Sequence, residues 1–565
     1  MVPSSPPTTG NLFGFAEYLS ALALLLVVLG TSDYRYRYRL LLMKYNLRLA
    51  SVWVVTAIGV GILGIDVWFQ NKLPVPIIMA NANNLKAILA VIFLAFLIFT
   101  LAVALVAPPR FSPRNARRFL DIHYHLIHEG DTQKLLVVIE ELQRSIPQIV
   151  ALASEANEFI DGQQSKGKEA AQIAHAFLLL LGEERFCSLV VNKFPLFALQ
   201  VLEHAKNKNL AQPMFQFARN IGQRFIQNTE SAFYQEDSGY FSGLIGYNRP
   251  ITKIVYGSYA FIEECATLGE SALEVRFEDL QSFSRLQMRG FNRAALAFLI
   301  DYLKVTKGCA HPRSYALSRL MGSFETAIST TYQLDGLEAY FEHAAFSRLQ
   351  VTVDFIGKAL DLMSKHAAQP RSFRTAGQGD LRDIYDELAD LIMKVIFEAS
   401  AVSSPEWSAW WVQHNTVLSQ LFGFEANSAS RIVAFRVRRL LYAEIKSMDR
   451  FAHFENARYL GFCLLTLGLA PINRRSGTYR KFFPIQALAA TWVKKNFARL
   501  WVEQPKVARA CLMGTISYDS MKLRLVKTYS SDTKKEPDQA FLYVDPADAP
   551  TIKRNWFHLW RSKRC

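Results

Sequence analysis

Three long apolar segments lie within the first 108 residues, and they constrain the fold of this chain more than any other feature. The segments run from Leu12 to Gly30, from Leu49 to Phe69 and from Ala87 to Ala107. Each is long enough to cross a hydrocarbon core of roughly 30 Å as an α-helix. No segment of similar length follows in the 565-residue chain. The sequence therefore predicts a membrane anchor over residues 12–108, with spans near 12–30, 49–69 and 87–107, followed by a large domain outside the membrane.

The placement of lysine and arginine predicts which side of the membrane each loop faces. Two short flanking segments are basic. The segment between the first two apolar segments contains Arg35, Arg37, Arg39, Lys44 and Arg48, and the segment after the third contains Arg110, Arg114, Arg117 and Arg118. The loop between the second and third segments holds only Lys72 and Lys86, and the tail 1–11 holds no charge. Because basic loops stay in the cytoplasm, we expect an N-terminus outside and a cytoplasmic main domain, in a plasma membrane or bacterial inner membrane.

Tyrosine and arginine alternate from Tyr34 to Arg39, just after the first apolar segment. Tyrosine rings favour the headgroup region, and arginine side chains are attracted to an anionic leaflet. We interpret Arg35, Arg37, Arg39 and, after the third segment, Arg110 as membrane-interface residues. A specific lipid site or an oligomer contact is the alternative for the Tyr-Arg repeat.

Two acidic residues, Glu17 and Asp66, lie inside or at the rim of the predicted spans. A carboxylate within a membrane is a functional hypothesis because burying its charge is costly. Both residues fall toward the outer ends of their segments, which favours simple interfacial positions. A paired polar contact or an ion path is the alternative. Three spans with so few polar groups make a poor transporter, but a pore formed by self-assembly is retained as a hypothesis.

The formal net charge of +15 is unevenly distributed along the chain. Residues 119–470 carry 34 basic and 39 acidic groups, whereas residues 471–565 carry 19 basic and 7 acidic groups. The last segment mixes Trp556 and Trp560 with Arg561 and further cations, a composition typical of a segment lying on a bilayer. Since the chain is already tethered, this composition favours docking to the anionic leaflet or to a protein, with a plain solvated tail and nucleic-acid binding as the alternatives.

Beyond residue 108, apolar residues recur at helical spacing and turns are short. The pattern predicts a dozen amphipathic helices over 109–470, in an all-α domain that is either solenoid-like or an irregular bundle. A basic C-terminal region, 471–565, follows. Alternating strand patterns occur only at Thr515–Tyr529 and Ala540–Val544, so we expect at most a small β-hairpin near the C-terminus.

Helix boundaries can be predicted at the start of this domain. Ser112 and Pro113 form a helix-start pattern, with serine as N-cap and proline in the first turn. Gly130 is expected to end that helix, and Asp131 to cap the next one.

Three residues on the first helix of the domain form the best constellation for chemistry. Asp121, His125 and His128 stand at i, i+4 and i+7 and share one helix face, whereas His123 points elsewhere. Imidazole and carboxylate at this spacing can bind a divalent metal ion. No fourth ligand is evident, so a structural role is the favoured interpretation, with a metal site and a pH sensor as the alternatives.

Catalytic and cofactor motifs do not occur in the sequence, and the six cysteines form no CxxC pair. We therefore predict no catalytic residues and no cofactor, and favour a non-enzymatic function. The leading hypothesis is a membrane-anchored scaffold or sensor whose helical domain binds a protein partner, or associates with itself. The alternative is a membrane effector whose spans oligomerise and permeabilise the bilayer when triggered, as in a defence protein. A membrane-associated hydrolase with its active site between helices is the third hypothesis.

Overall fold

The chain is mostly helical, with apolar helices near the N-terminus and a small sheet near the C-terminus. It divides between Ile221 and Gly222 into two compact units. The computed structural model describes residues 15–16, 18–20, 22–23, 34–43, 47–71, 82–102, 109–158, 166–236, 248–306, 314–368, 370, 382–423, 427–470, 479–529 and 538–547.

Two helices of the first unit are long and apolar enough to cross a membrane. They span Leu47–Gln70 and Ala82–Leu101, in the positions predicted for the second and third spans. Most of the first predicted span lies outside the described residues, but its described parts are helical. Tyr18, from this segment, is buried against Ile58 and Phe93 of the two apolar helices. The N-terminal region therefore contains two or three apolar helices.

The remaining helices of the first unit are shorter. Among them, the helices Glu184–Lys193 and Pro195–Asn207 meet at an angle of 115°. Taken together, this bent pair is also long and apolar enough to cross a membrane. Phe186 and Val190 of this bent pair are buried against the rest of the unit. The helices of the first unit outside the two apolar ones are Tyr34–Leu41, Ala116–Glu129, Thr132–Leu142, Ile146–Glu158, Lys166–Leu180, Glu184–Lys193, Pro195–Asn207 and Ala211–Gln227, the last of which contains the division between the units.

The predicted helix boundary at Gly130 and Asp131 is confirmed. Gly130 adopts a left-handed conformation with φ of 70°, which glycine tolerates without steric cost. The Asp131 carboxylate accepts a hydrogen bond from the Gln133 amide at 3.0 Å and caps the following helix. The predicted start at Ser112 was wrong. The helix begins three residues later, because Asn115 occupies the N-cap position and its side chain binds back to the Ser112 amide at 2.8 Å.

The second unit is built around two pairs of packed helices. Arg285–Val305 packs against Ala344–Lys365, and Ile384–Ala399 packs against Ser428–Ser447. Its α-helices are Ala232–Gln235, Tyr259–Leu268, Phe277–Ser282, Arg285–Val305, Tyr315–Ile328, Ala344–Lys365, Ile384–Ala399, Glu406–Trp410, Ser419–Phe422, Ser428–Ser447, Phe454–Leu467, Phe483–Glu503 and Pro505–Ala510. Short 3₁₀ and π segments join them at Thr252–Tyr256, Thr331–Leu334, Tyr340–Glu342, Trp411–Leu418 and Arg480–Phe482.

A buried ion cluster joins the two helices of the second pair. The side chain of Arg436 is fully buried and contacts Asp383 Oδ1 at 2.5 Å and Asp386 Oδ1 at 2.7 Å. Asp383 also caps its own helix by accepting a hydrogen bond from the Asp386 amide. Because the guanidinium has carboxylate partners, its burial is compensated and the cluster fixes the start of one helix against its neighbour.

The sheet near the C-terminus has three antiparallel strands, β1 (Ile516–Asp519), β2 (Arg524–Tyr529) and β3 (Asp538–Tyr543), in that order. The expectation of at most a hairpin was therefore wrong by one strand. The segment predicted as one strand, 515–529, turns back on itself at Leu523, which has φ of 46°. The Asp519 carboxylate accepts a hydrogen bond from the Lys522 amide at 3.1 Å within this turn.

Candidate functional site

The Tyr-Arg repeat forms a helix that packs against the helices following the third apolar segment. We call this element, Tyr34–Leu41, the loop helix. Tyr38 and Arg39 are 1% and 6% exposed, whereas Arg37 on the opposite side is exposed. Two faces of the alternating sequence thus differ: one is covered by protein, and the other faces outward. The covering helices are Ala116–Glu129 and Thr132–Leu142.

Tyr38 and His123 form a buried hydrogen bond between sequence-distant elements. The His123 Nδ1 lies 2.7 Å from the Phe119 carbonyl oxygen and donates to it, which leaves Nε2 to accept from the Tyr38 hydroxyl at 2.7 Å. The imidazole stacks on Phe119 with ring centroids 4.1 Å apart and meets the edge of Phe177 at 5.1 Å. All four side chains are buried, so the pair is satisfied within an aromatic core.

Burial sets the protonation state of this pair. It lowers the pKa of His123 from its ordinary value of 6.5 to about 4. It also raises the pKa of Tyr38 well above its ordinary value, with the Glu141 carboxylate adding to the effect. Near neutral pH the imidazole and the phenol are therefore both neutral, as their hydrogen bond requires.

An ion pair lies beside the tyrosine on the loop helix. Arg39 binds Glu141 through two hydrogen bonds, Nη2 to Oε1 at 2.6 Å and Nε to Oε2 at 3.2 Å. Both side chains are 7% exposed. Arg35 pairs with Glu140, but both side chains are substantially exposed, so this contact contributes little. The buried Arg39–Glu141 pair is bidentate, which is the strong geometry for a guanidinium and a carboxylate.

The structure places the predicted membrane-interface residues in different surroundings. Arg35 and Arg39 contact carboxylates of the first unit, and Arg37 and Arg110 are exposed. The adjacent acids Glu140 and Glu141 are the partners of the two arginines. The other interface candidates, Trp556, Trp560 and Arg561, lie outside the described residues.

The residues proposed for a metal site are exposed on the surface of their helix. Asp121, His125 and His128 are all exposed, and His128 Nδ1 lies 3.0 Å from the Tyr124 carbonyl oxygen. No group of three or more histidine, cysteine, aspartate or glutamate side chains in the described part of the chain is arranged to hold a metal ion. His123, which the helical spacing separates from them, points into the core instead.

Asp66 forms an ion pair with Lys86 between the two long apolar helices. The Lys86 side chain is 7% exposed and that of Asp66 is 35% exposed. The Tyr18 hydroxyl donates to the Val55 carbonyl at 2.5 Å and ties the first apolar segment to the second. The other acidic candidate, Glu17, lies outside the described residues. The Asp66 carboxylate thus has a cationic partner, which reduces the cost of placing it near hydrocarbon.

A pocket lined by aromatic residues occurs in the second unit. It has a volume of about 570 Å³, and its walls include Trp407, Trp410, Lys527 and Tyr529. Trp407 is 63% exposed at its mouth. Trp410 stacks on His414 with centroids 4.0 Å apart, where the chain changes from α-helix to the π-helix Trp411–Leu418. Such π segments occur often at functional sites.

Lys527 is a buried cation in the wall of this pocket. Its Nζ donates to the Leu465 carbonyl at 2.5 Å and lies 4.9 Å from the Trp410 ring and 5.0 Å from the Tyr529 ring. Desolvation lowers its pKa from 10.5 to about 8. The ammonium is thus largely charged near pH 7, with aromatic faces and a carbonyl as its neighbours. An oxygen atom of a bound group is the partner that this arrangement favours.

The mouth of the pocket is held by a network of hydrogen bonds. Asp335 Oδ1 accepts from the backbone amides of Ser403 and Ser404, both at 2.8 Å. The Ser408 hydroxyl donates to the Leu337 carbonyl at 2.9 Å. These contacts fix the start of the helix that carries the two pocket tryptophans, so the positions of their rings are preorganised.

Sequence reasoning missed Tyr38, His123 and Glu141 in the first unit and Lys527 in the second. One pattern was available for Lys527, since it lies on the same strand face as the buried Leu525 and therefore points inward. His123 likewise shares a helix face with the buried Phe119 and Ile127. Comparison with known protein families, with curated proteins and with solved structures finds no match. What is established is a mostly helical protein with apolar helices long enough to cross a membrane.

Proposed function

We propose that this chain is a multi-pass membrane protein whose helical domain, solenoid-like or an irregular bundle, lies in the cytoplasm and acts as a scaffold or sensor that binds a protein partner. The proposal places it in a plasma membrane or bacterial inner membrane with its N-terminus outside. The observation that carries the proposal is the packing of the loop helix on the Ala116–Glu129 and Thr132–Leu142 helices.

This packing bears on topology because the loop helix precedes two apolar helices and its partners follow them. Tyr38 contacts His123, and Arg39 contacts Glu141. In each contact, both apolar helices lie between the two residues along the chain. Segments in direct contact lie on the same side of a membrane, so an even number of crossings must separate them. The basic residues flanking both segments favour the cytoplasmic side. The contacts thus support an even number of crossings between the two segments, and the charge distribution supports their placement on the cytoplasmic side.

The packing also supports a signalling or scaffolding role over a passive tether. A buried bidentate ion pair and a buried hydrogen bond hold the loop helix to the Ala116–Glu129 and Thr132–Leu142 helices, so we expect displacement of these helices to be transmitted to the segment joining the first two spans. A flexible linker would not transmit it. The structure of the first unit therefore suits a sensor in which the anchor and the domain move together.

Binding of a protein partner is supported by the aromatic pocket in the second unit. Exposed tryptophan and tyrosine side chains around a preorganised pocket are typical of the centres of protein interfaces. Lys527 in its wall favours a partner segment that places an acidic or carbonyl oxygen beside an apolar side chain. An anchored scaffold requires such a surface on its cytoplasmic domain.

Topology is tested by single cysteines introduced at three exposed positions and labelled with a membrane-impermeant maleimide. The four native cysteines within the described residues are buried, so their background labelling is low. We expect Arg37→Cys and His125→Cys to react only after the cells are permeabilised, and Asn71→Cys to react in intact cells. Reaction of Arg37→Cys and His125→Cys from opposite sides would refute the proposal.

Partner binding is tested with two exposed aromatic residues of the second unit. Trp407 lines the pocket, and Phe451, 65% exposed, does not and serves as the matched control. We expect a stoichiometric partner to co-purify with the wild-type chain and with Phe451→Ala, but not with Trp407→Ala. Membrane depolarisation on overexpression that disappears when residues 1–108 are deleted would instead support the effector hypothesis.

A further inference from the structure

A second cavity in the second unit is strongly basic. It has a volume of about 890 Å³ and lies along the packed helices Arg285–Val305 and Ala344–Lys365. We call it the basic groove. Its volume is in the range of small-molecule sites. Six cationic side chains line it: Arg249, Arg285, Arg289, Arg293, Lys358 and Lys365. Two acids, Asp354 and Asp361, are the carboxylates in its lining.

The net positive charge of the groove contrasts with the net negative charge of residues 119–470, in which the groove lies. Residues 119–470 carry more acidic than basic groups, yet the lining of the groove has four more cations than acids. Arg285, Arg289 and Arg293 follow one another at i, i+4 and i+8, so three like charges share one helix face. Like charges at this spacing destabilise a helix. A bound anion would remove that repulsion.

The two carboxylates are already engaged by other groups. Asp354 Oδ2 accepts from Lys358 Nζ at 2.7 Å and from Asn292 Nδ2 at 3.0 Å. Asp361 Oδ1 accepts from Asn427 Nδ2 at 2.9 Å. In the part of the chain that the structure describes, Arg285, Arg289 and Lys365 have no carboxylate partner. Their charges are therefore available to an anionic ligand.

A buried acceptor in the same groove points to a second feature of the ligand. Asn292 is 5% exposed, and its Oδ1 has no hydrogen-bond partner within the described residues. Its amide nitrogen is fixed by Asp354, so the oxygen is the atom left to receive a donor. An unpaired buried acceptor costs free energy, about 1–3 kcal/mol. A ligand hydroxyl would supply the missing hydrogen bond.

We propose that the basic groove binds a small phosphorylated ligand that carries hydroxyl groups, such as a nucleotide or an inositol phosphate. Its phosphates bind Arg285, Arg289 and Lys365, and a hydroxyl donates to Asn292 Oδ1. The same chemistry is offered by a soluble metabolite and by the headgroup of a phosphoinositide lipid. The inference does not depend on the membrane topology proposed above, since the groove lies within the second unit.

The experiment measures binding by calorimetry to the full chain in lipid nanodiscs at physiological salt. Three soluble probes are used, adenosine triphosphate, inositol 1,4,5-trisphosphate and inorganic phosphate. A parallel arm compares nanodiscs of phosphatidylcholine with nanodiscs that also contain phosphatidylinositol 4,5-bisphosphate. We expect at least one hydroxyl-bearing probe, or the phosphoinositide, to bind at least tenfold more tightly than inorganic phosphate. Saturation by a soluble probe identifies a metabolite site, and preference for the phosphoinositide identifies a lipid site.

Matched variants on one helix make the result specific. Arg289→Glu reverses a charge in the groove and is expected to weaken binding by at least tenfold. Lys304→Glu reverses an exposed charge on the same helix outside the groove and is expected to leave affinity within twofold. Asn292→Asp, which keeps the side-chain shape, should also weaken binding because it adds a negative charge. Absence of binding by every probe, or equal affinity for Arg289→Glu and wild type, would overturn the proposal.

Discussion

Two buried cations in this protein have opposite surroundings. Arg39 of the loop helix in the first unit is bound by the Glu141 carboxylate through two hydrogen bonds. Lys527 in the second unit has a carbonyl oxygen and two aromatic rings as neighbours, and desolvation lowers its pKa to about 8. Both side chains are almost inaccessible to solvent.

The difference separates a structural contact from a candidate binding contact. A buried cation with a carboxylate partner is compensated, and removing either partner leaves an uncompensated charge. A buried cation without a carboxylate keeps part of its desolvation cost, which a bound anionic or carbonyl group can relieve. We therefore assign Arg39 to holding the loop helix on the Ala116–Glu129 and Thr132–Leu142 helices, and Lys527 to the pocket that we propose for partner binding.

The largest effect is expected from Glu141→Ala. It removes the bidentate carboxylate partner of the buried Arg39 guanidinium, and breaking a buried ion pair from one side typically costs about 3–5 kcal/mol. Hydrogen–deuterium exchange of the peptide covering residues 34–43 in the full chain measures the loss, because the loop helix opens locally when it detaches. The adjacent Glu140→Ala is the control, since its ion pair is exposed and contributes within about 1 kcal/mol. Equal exchange in the two variants would show that the buried Arg39–Glu141 pair holds the loop helix no more strongly than the exposed Arg35–Glu140 pair.

A smaller effect is expected from lowering the pH. The folded pKa of His123 is about 4 and its ordinary value is 6.5, so only the undocked state binds a proton between these values. The stabilisation is therefore fully present above about pH 6.5 and is lost progressively as the pH falls toward 4.

From pH 7 to pH 5 we expect protection of residues 34–43, corrected for intrinsic exchange, to decrease by about 2 kcal/mol. His123→Gln cannot be protonated and should abolish this dependence, whereas His128→Gln, on the exposed face, should retain it. A wild-type chain with the same protection at both pH values would show that His123 does not couple docking to protonation.

The smallest effect on stability is expected from Lys527→Met. Because the folded pKa of Lys527 is lowered to about 8, the wild-type chain becomes more stable as the pH rises from 8 toward 10.5. Replacing the ammonium by an apolar side chain removes this cost and should leave thermal stability at pH 7 unchanged or raised by about 1 kcal/mol. Arg39→Met should instead detach the loop helix. A loss of several kcal/mol for Lys527→Met would contradict the contrast between the two cations.

Local features of the fold could be predicted from sequence, and long-range pairs could not. The second and third apolar segments and the Gly130–Asp131 boundary depend on residues close in sequence, and the structure bears them out. The contacts of Tyr38 and Arg39 join residues separated by 85 and 102 positions. A Tyr-Arg repeat is compatible with both a lipid surface and a protein surface, and nothing local distinguishes them.

The sheet gives a second example of this limit. The alternating pattern of 515–529 fits a single long strand as well as two strands joined by a turn. The turn depends on Leu523 adopting positive φ, a conformation that leucine rarely favours and that sequence patterns do not anticipate. The aromatic pocket likewise depends on bringing the strand carrying Lys527 to the helix carrying Trp410, more than a hundred positions earlier in the sequence.

A double-mutant cycle on Arg39 and Glu141 tests the central claim most directly. Protection of residues 34–43 would be measured in the full chain for wild type, Arg39→Ala, Glu141→Ala and the double variant. If the buried pair fastens the loop helix to the domain, the two substitutions are coupled by about 2 kcal/mol or more. Additive effects, with coupling below about 0.5 kcal/mol, would show that the loop helix is not held there by this pair.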